Sequence, residues 1–262
     1  MGCILKANSG LFARMTVGAV LLAAGEGARL GARPKALLEL GGVPLILRQL
    51  IALSGAGVDE VVVVLGHHAD AIEAAIKSFP ITLVHNPAPQ DGQASSVRVG
   101  LRALSPRIDA VIVALADQPL IAAQDIVDLI SAYKKRGDAA MVVPRVAVDG
   151  GEPLPGNPVM FDATLREEWL AGGVNAACRQ WRQANPERVR WFDTNNRRYR
   201  VDIDTPEDLQ AFSASTGHEL RWPAALLAEW QGVAPDAAQG GAGESDDQSA
   251  AASASRSVAA AG

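Results

Sequence analysis

Residues 17–46 read VGAVLLAAGEGARLGARPKALLELGGVPLI and place a glycine-rich turn directly after an apolar run. The run at residues 17–24 has no polar side chain, which is typical of a β-strand that is buried on both faces of a sheet. Further along, leucine and isoleucine recur at largely helical spacing over residues 44–57. A buried strand, a glycine turn and an amphipathic helix together predict the first unit of an α/β fold.

The same alternation of strand and helix patterns continues to about residue 146. Further strands are expected at residues 59–66, 81–86, 109–116 and 139–146, and further helices at residues 68–79, 92–104 and 121–137. This spacing predicts a three-layer, doubly wound α/β fold with a mostly parallel sheet and helices on both faces. In such folds ligands bind outside the carboxyl ends of the strands, so the residues after each strand are the candidate site residues.

The chain ends differ in composition from the rest of the sequence. Residues 1–15 are predicted to be a flexible N-terminal extension, and residues 16–234 a single domain. Residues 235–262 consist largely of Ala, Gly, Ser and acidic residues, with hardly a large apolar side chain. Such a segment buries too little apolar surface to order itself, so we expect a disordered C-terminal tail.

Composition limits the class of protein. The net charge of −5 argues against a protein that binds nucleic acid or an anionic membrane surface. No apolar stretch approaches the roughly 20 residues that span a bilayer, and the N-terminus lacks the pattern of a signal peptide. The two cysteines, Cys3 and Cys178, are too few and too far apart to predict a disulfide framework or a metal site. A cytoplasmic location is therefore expected.

The glycine-rich turn predicts a phosphate-binding loop. Gly25, Gly27 and Gly31 let the backbone approach a ligand and direct N–H groups at it. Arg29 and Lys35 add a guanidinium and an ammonium suited to phosphate oxygens. A glycine turn with two solvated cations is the purely structural alternative.

A dinucleotide-binding loop fits this stretch less well. In the G-x-G-x-x-G pattern the third glycine comes one position earlier than Gly31, and the helix continues where Pro34 stands here. The second predicted strand also ends without the expected acidic residue. It is followed by His67 and His68, which we interpret as polar loop residues because adjacent histidines with no acid or cysteine at ligand spacing do not indicate a metal site.

Polar residues also follow the third and fourth strands. Gln93, Ser95 and Ser96 lie at a predicted helix start, where they either contact a base or phosphate or simply cap the helix. Asp117 follows the fourth strand directly, where a carboxylate near a phosphate loop suits Mg²⁺. A capping or turn aspartate is the structural alternative for Asp117.

The segment VDIDTPEDLQAF, residues 201–212, supplies two more carboxylates. Val201 and Ile203 are expected on one side of a strand, with Asp202 and Asp204 on the other. Thr205 and the following residues predict a capping box at the start of a final helix. Asp202 and Asp204 have no such structural explanation, and either of them completes a two-carboxylate metal site with Asp117.

Taken in order, these motifs resemble those of the MobA-like nucleotidyltransferase superfamily. LAAGEGARLGARPK is similar to its signature loop, L-A-A-G-x-G-x-R-x-G followed by P-K. GQASSVRVGL, ALADQPL, GNPVMF and VDIDTPEDL are more narrowly similar to the molybdenum cofactor cytidylyltransferase branch. The resemblance runs from about residue 20 to residue 212 and implies a Rossmann-like nucleotidyltransferase fold.

The resemblance also implies a reaction, in which the terminal phosphate of molybdopterin attacks the α-phosphate of CTP and pyrophosphate leaves. The product would be a cytosine dinucleotide cofactor, with a molybdenum hydroxylase as a possible client. By the family pattern, Mg²⁺ would be held by Asp117 with Asp204 or Asp202. The remaining implied roles are catalysis by Arg29, Lys35 and Asp117, acceptor binding by Asn157, and nucleotide binding by Leu22, Ala23, Ala24, Gly25, Gly27, Gln93, Ala94, Ser95 and Ser96.

The acceptor side departs from the family pattern. Many members carry a histidine at the position of Asn157, and a G-D-x-G-A-R segment where residues 172–179 read GGVNAACR, so that Asn175 and Arg179 are candidate replacements. Gln93 stands where leucine is common. The alternatives are therefore the same chemistry with GTP or with another acceptor such as a sugar phosphate, or a molybdenum cofactor chaperone without catalysis.

Overall fold

The structure is a computed structural model that describes residues 14–171 and 178–230. Most of the predicted N-terminal extension, the predicted C-terminal tail and Asn175 lie outside the described residues. By its internal contacts the chain divides after Pro223. The unit from Ala224 onward contributes one described helix, Ala224–Trp230, and everything below concerns the unit that precedes it.

The described part of this unit alternates strands and helices as the sequence predicts. The strands are β1 Val17–Ala23, β2 Glu39–Leu40, β3 Val43–Pro44, β4 Glu60–Leu65, β5 Thr82–His85, β6 Ala110–Leu115, β7 Met141–Val148, β8 Gly151–Pro155, β9 Val159–Asp162, β10 Val189–Thr194 and β11 Leu220–Arg221. The helices are α1 Leu45–Gly55, α2 Ala69–Ile76, α3 Gln93–Ala103, α4 Ala123–Lys134, α5 Ala163–Ala171, α6 Cys178–Ala184 and α7 Pro206–Thr216.

The main sheet has the spatial order β10-β7-β9-β6-β1-β4-β5, with β8 paired to β7. Strand β1 is central and runs parallel to its neighbours β4 and β6. The pairs β4–β5 and β7–β10 are also parallel. Strand β9 is antiparallel to both β6 and β7, and β8 is antiparallel to β7. The predicted doubly wound, mostly parallel sheet is therefore confirmed, and its parallel strands share one carboxyl edge.

Both faces of β1 are buried, as the continuous apolar run predicts. Val20 and Leu22 belong to a core that includes Val97 and Leu101 of α3. Leu21, which points to the opposite face, is fully buried as well. Helices cover both faces of the sheet, so polar residues that could bind a ligand lie at the ends of the strands.

A second, smaller core lies beside a three-stranded sheet of order β11-β2-β3. We call it the small core, and it consists of Leu30, Leu38, Leu40, Leu45, Ile203 and Phe212. Leu30 comes from the glycine-rich turn, and Ile203 from the segment between two candidate metal ligands. The small core therefore joins two loops that the functional interpretation places at one site.

The strand predicted at residues 201–204 is wrong. Residues 197–200 form a short 3₁₀ turn, and residues 201–204 continue as a loop. Ile203 donates its N–H to the carbonyl of Asp117 at 3.2 Å, and its side chain is buried in the small core. The predicted capping box is confirmed: Thr205 and Asp208 exchange hydrogen bonds at the start of α7.

Within residues 14–171 and 178–230, no helix is both long enough and apolar enough to cross a lipid bilayer.

Candidate active site

A cleft of about 390 Å³ opens at the carboxyl edge of the main sheet, between the ends of β1 and β6. Six separated segments of the chain line it. Doubly wound folds bind their ligands at this edge of the sheet. Among the predicted site residues, those that line the cleft are Leu22, Ala23, Ala24, Gly25, Lys35, Gln93, Ser96, Asp117, Asp202 and Asp204. Ile72 and Pro89 add apolar walls.

Lys35 connects two of the carboxylates. Its Nζ lies 2.6 Å from Asp117 Oδ2 and 2.5 Å from Asp204 Oδ1. The side chains of Lys35 and Asp117 are only 16% and 20% exposed, so solvent screens this pair weakly. Arg29, which is largely exposed, donates to Asp204 Oδ2 at 2.8 Å. The structure thus brings the three predicted catalytic residues together around Asp204.

The charges in this cluster shift one another's protonation. Burial lowers the pKa of Lys35, but Asp117 and Asp204 outweigh that effect and raise it overall. Burial raises the pKa of Asp117, and Lys35 offsets part of the shift. Partial desolvation, with the charges of Asp117 and Asp204, also raises the pKa of Asp202. In the opposite direction, the hydrogen bond and charge of Lys35, assisted by Arg29, overcome desolvation and lower the pKa of Asp204.

The carboxylates fit a hard divalent cation. Asp117 Oδ1 is buried and has no hydrogen-bond partner in the structure, which is costly for a carboxylate oxygen. Among the described residues no group of three or more His, Cys, Asp or Glu side chains is arranged to hold a metal ion. Mg²⁺ commonly takes one or two carboxylates and completes its shell with substrate phosphates and water. Asp117 with Asp204 or Asp202 is a donor set of this kind.

Two of the three glycines of the turn, Gly25 and Gly27, serve different purposes. Gly27 has a φ of +70°, and a Cβ there would overlap the carbonyl oxygen of Arg33. A side chain at this position would therefore distort the turn. Gly25 lines the cleft, and a Cβ there would have no atom within 4 Å. The space beside Gly25 is consequently open to a ligand.

The start of α3 does not use a serine as its cap. Gly92 occupies the N-cap position, and no side chain caps the helix. Asn86, at the end of β5, donates instead to Ser95 Oγ at 2.7 Å and to Ser96 Oγ at 2.9 Å. Serine capping, one of the two alternatives for this segment, is therefore wrong. Ser96 and Gln93 line the cleft, whereas Ala94 and Ser95 do not.

Asn157 lies outside the cleft lining, in a loop connected to it through Gln118. The Nε2 atom of buried Gln118 donates to the carbonyls of Asn157 and Tyr199, at 3.4 and 3.3 Å. The N–H of Asn157 also donates to the carbonyl of Tyr199 at 2.7 Å. Asn86 and Gln118 were not identified from the sequence as organising residues, although Asn86 directly follows β5 and Gln118 directly follows Asp117.

Residues 19–189 match the model of the MobA-like NTP transferase domain. The chain belongs to the MobA-like NTP transferase family. The match covers well over half of the chain and includes the glycine-rich turn, Lys35 and Asp117. The predicted superfamily is confirmed, and with it the nucleotidyltransferase type of the fold.

Individual relatives differ in how much of them the chain spans. The nicotine blue oxidoreductase of Paenarthrobacter nicotinovorans is 32% identical over 197 residues, which cover 72% of this chain and 93% of that protein. The bifunctional protein GlmU of Sorangium cellulosum is 32% identical over 155 residues, 56% of this chain and 32% of GlmU. The chain therefore spans about a third of that GlmU.

Solved structures agree with the family assignment. Rv0371c from Mycobacterium tuberculosis H37Rv superposes with a TM-score of 0.62 at 27% identity, covering 76% of this chain and 97% of that one. A complex of the same protein with manganese gives a TM-score of 0.60 at 25% identity, covering 77% and 100% of the two chains.

Proposed function

We propose that this protein is a Mg²⁺-dependent cytidylyltransferase that transfers CMP from CTP to molybdopterin or molybdenum cofactor and releases pyrophosphate. The observation that carries the proposal is the Lys35 ammonium between Asp117 and Asp204, at the mouth of a cleft lined by the glycine-rich turn. Cationic, anionic and backbone groups that suit a triphosphate and a divalent ion therefore lie close together, which supports the proposal.

The chemistry requires positioning and charge neutralisation more than covalent participation by the protein. The backbone of residues 22–27 would bind the triphosphate, since Gly25 leaves open space beside the cleft. Lys35 and Arg29 would stabilise negative charge that develops as the α-phosphate is attacked. Asp204 already holds both cations beside the cleft.

Asp117, with Asp204 or Asp202, would hold the metal ion. A bound Mg²⁺ would neutralise phosphate charge and orient the leaving pyrophosphate. The unpartnered Asp117 Oδ1 supports this role, because a cation is the partner that a buried carboxylate oxygen lacks. The manganese complex of Rv0371c is consistent with a divalent ion in this family.

The base and acceptor assignments rest on the sequence resemblance. Gln93 and Ser96 line the cleft and would contact the base or ribose, with Ala94 and Ser95 beside them in the first turn of α3. Asn157 would face the pterin from the neighbouring loop. A cytoplasmic location and a molybdenum hydroxylase client belong to the same proposal.

Three other functions use the same fold differently. GTP could replace CTP, since Gln93 stands where leucine is common in the family. A sugar phosphate could replace the pterin, since the acceptor loop departs from the family pattern. A chaperone would bind the pterin without turnover. An oxidoreductase activity is suggested by the name of the nicotine blue relative.

Pyrophosphate release separates these functions. The assay would contain each of the four nucleoside triphosphates in turn, with and without Mg²⁺, and molybdopterin or its molybdenum form as acceptor. We expect release with CTP that requires both Mg²⁺ and the pterin.

Other outcomes would reassign the protein. Pterin binding with no release from any triphosphate would indicate the chaperone, and a requirement for a sugar phosphate would indicate another acceptor. Oxidation of NADH or NADPH by a quinoid dye, in the absence of pyrophosphate release, would indicate the oxidoreductase.

A further inference from the structure

Two adjacent histidines contact the backbone of the glycine-rich turn. His67 and His68 follow β4, in the turn that leads to α2. His67 Nδ1 lies 3.1 Å from the carbonyl oxygen of Ala24, and His68 Nε2 lies 2.8 Å from that of Glu26. Since a carbonyl oxygen can only accept, each of these ring nitrogens must carry a proton. The two rings therefore donate through different nitrogens, Nδ1 in one and Nε2 in the other.

These carbonyls belong to the peptide units that matter for phosphate binding. The carbonyl of Ala24 shares a planar peptide with the N–H of Gly25, and the carbonyl of Glu26 shares one with the N–H of Gly27. In a trans peptide the C=O and the N–H point in opposite directions. Fixing each carbonyl toward β4 therefore fixes the following glycine N–H away from it.

The backbone directly after β4 supports the same contact. A Cβ at Gly66 would lie 2.6 Å from the carbonyl oxygen of Ala24, so the two chain segments already approach closely. His68 is the N-cap residue of α2, yet its side chain accepts no hydrogen bond from the helix. The imidazole of His68 thus contacts the glycine-rich turn and does not cap its own helix.

We propose that His67 and His68 are positioning residues, which orient the N–H groups of Gly25 and Gly27 for the phosphates of the nucleotide. The inference rests on the proposed function, because it assumes that the glycine-rich turn binds a triphosphate. Glycine makes the turn accessible but also flexible. A pair of donors from the neighbouring strand end supplies the rigidity that a preorganised phosphate site needs.

Exchanging the donor position tests this idea. The side-chain nitrogen of Asn is as many bonds from Cβ as Nδ1 of His, and the side-chain nitrogen of Gln is as many bonds from Cβ as Nε2 of His. His67→Asn and His68→Gln should therefore retain binding, while His67→Ala and His68→Ala should each weaken it about fivefold, the scale of one net hydrogen bond. The exchanged pair, His67→Gln and His68→Asn, should resemble the alanine variants.

The measurements are the dissociation constants of inorganic tripolyphosphate and of CTP by calorimetry, with His218→Ala as a control on an exposed histidine. Amide ¹⁵N shifts of Gly25 and Gly27 in the free protein provide a readout that needs no ligand. We expect both amides to move in the alanine variants and to return in His67→Asn and His68→Gln.

The outcomes separate the inference from the proposed function. If the wild type binds neither tripolyphosphate nor any nucleoside triphosphate, the proposed function fails, and the glycine amides still report on the histidines. If the wild type binds but all six variants bind within twofold of it, the inference is overturned. Should the alanine variants fail to fold, the Asn and Gln variants decide. Equal triphosphate affinity of the matched pair (His67→Asn, His68→Gln) and the exchanged pair (His67→Gln, His68→Asn) would also contradict the inference.

Discussion

The Nζ atom of Lys35 lies 2.6 Å from Asp117 Oδ2 and 2.5 Å from Asp204 Oδ1, so one ammonium pairs with two carboxylates from different loops. These are the same carboxylates that we propose as metal ligands. In the protein without nucleotide, Lys35 therefore compensates part of the negative charge of Asp117 and Asp204. Binding of Mg²⁺ and the triphosphate would change these ion pairs. Several consequences of this arrangement can be measured.

Loss of either charge should impair turnover. Lys35→Ala and Asp117→Ala are each expected to cost about 2–4 kcal/mol of transition-state stabilisation, the scale of one preorganised charge-stabilising group. The measurement is kcat/KM for pyrophosphate release. Lys77→Ala is the matched control, because Lys77 is exposed and does not line the cleft. Near-normal turnover in either variant would remove that residue from the catalytic set.

Lys35 should also compete with the metal ion. Because its ammonium hydrogen-bonds to both carboxylates, a metal bound there must displace it from at least one of them. Lys35→Ala is therefore expected to bind Mn²⁺ more tightly than the wild type when no nucleotide is present. Electron paramagnetic resonance of free Mn²⁺ measures this directly. Weaker Mn²⁺ binding by Lys35→Ala would contradict the competition, and Asp117→Ala should bind less than both.

The carboxylates should have opposite effects on stability as a function of pH. Burial raises the pKa of Asp202, so the folded state keeps that proton to a higher pH than the unfolded chain, whose aspartates titrate at about pH 3.9. Stability is then lost as the pH rises through the raised pKa. Asp202→Asn removes this loss of stability, so the variant should have a modestly higher Tm than the wild type at pH 7. The two Tm values should converge in acid.

Asp204 provides the comparison of opposite sign. Its pKa is lowered, so its contribution to stability is present above about pH 3.9 and is lost as the pH falls through the folded value. Asp204→Asn should therefore lower the Tm at pH 7 and approach the wild type in acid. Thermal melts of both variants from pH 3 to pH 8 test the pair, and shifts of the same sign at pH 7 would refute the assignment.

The two glycines should separate binding from folding. Gly25→Ala adds a methyl group to open space in the cleft, so the protein should keep its Tm and lose triphosphate affinity. Gly27→Ala places a Cβ against the Arg33 carbonyl at a positive φ, and should lower the Tm by destabilising the turn. Calorimetric titration with CTP beside thermal melts distinguishes them. Unchanged CTP affinity in Gly25→Ala would mean that the open space is not the phosphate site.

The sequence predicts the parallel core of the fold because its strands are apolar on both faces, as in residues 17–23. Strands β8 and β9 were not predicted, since their antiparallel pairing depends on distant strands and β8 carries two prolines. Residues 201–204 also depend on distant contacts. The alternation of apolar and acidic residues suggested a strand, but the segment forms a loop with Ile203 buried in the small core.

Much of the cleft lining was predictable from the sequence, and the pairing of its charged side chains was not. Strand ends converge at one edge of a parallel sheet, so Gly25 and Asp117, which follow β1 and β6, were expected to be neighbours. Sequence reasoning gave Lys35 to the phosphates and Asp204 to the metal, with no means of seeing that the two pair with each other. The contact of His67 with Ala24 likewise joins residues that are far apart in sequence, and no local sequence pattern indicates it.

The small core has a consequence for variation at a distance. Arg29 and Asp204 are paired across 175 positions of sequence, and each has an immediate neighbour, Leu30 and Ile203, in that one apolar cluster. Phe212 completes the cluster from α7 without lining the cleft. A substitution at Phe212 would therefore weaken the support of the Arg29–Asp204 pair while the main sheet stays intact, so a residue outside the cleft would alter the charges beside it.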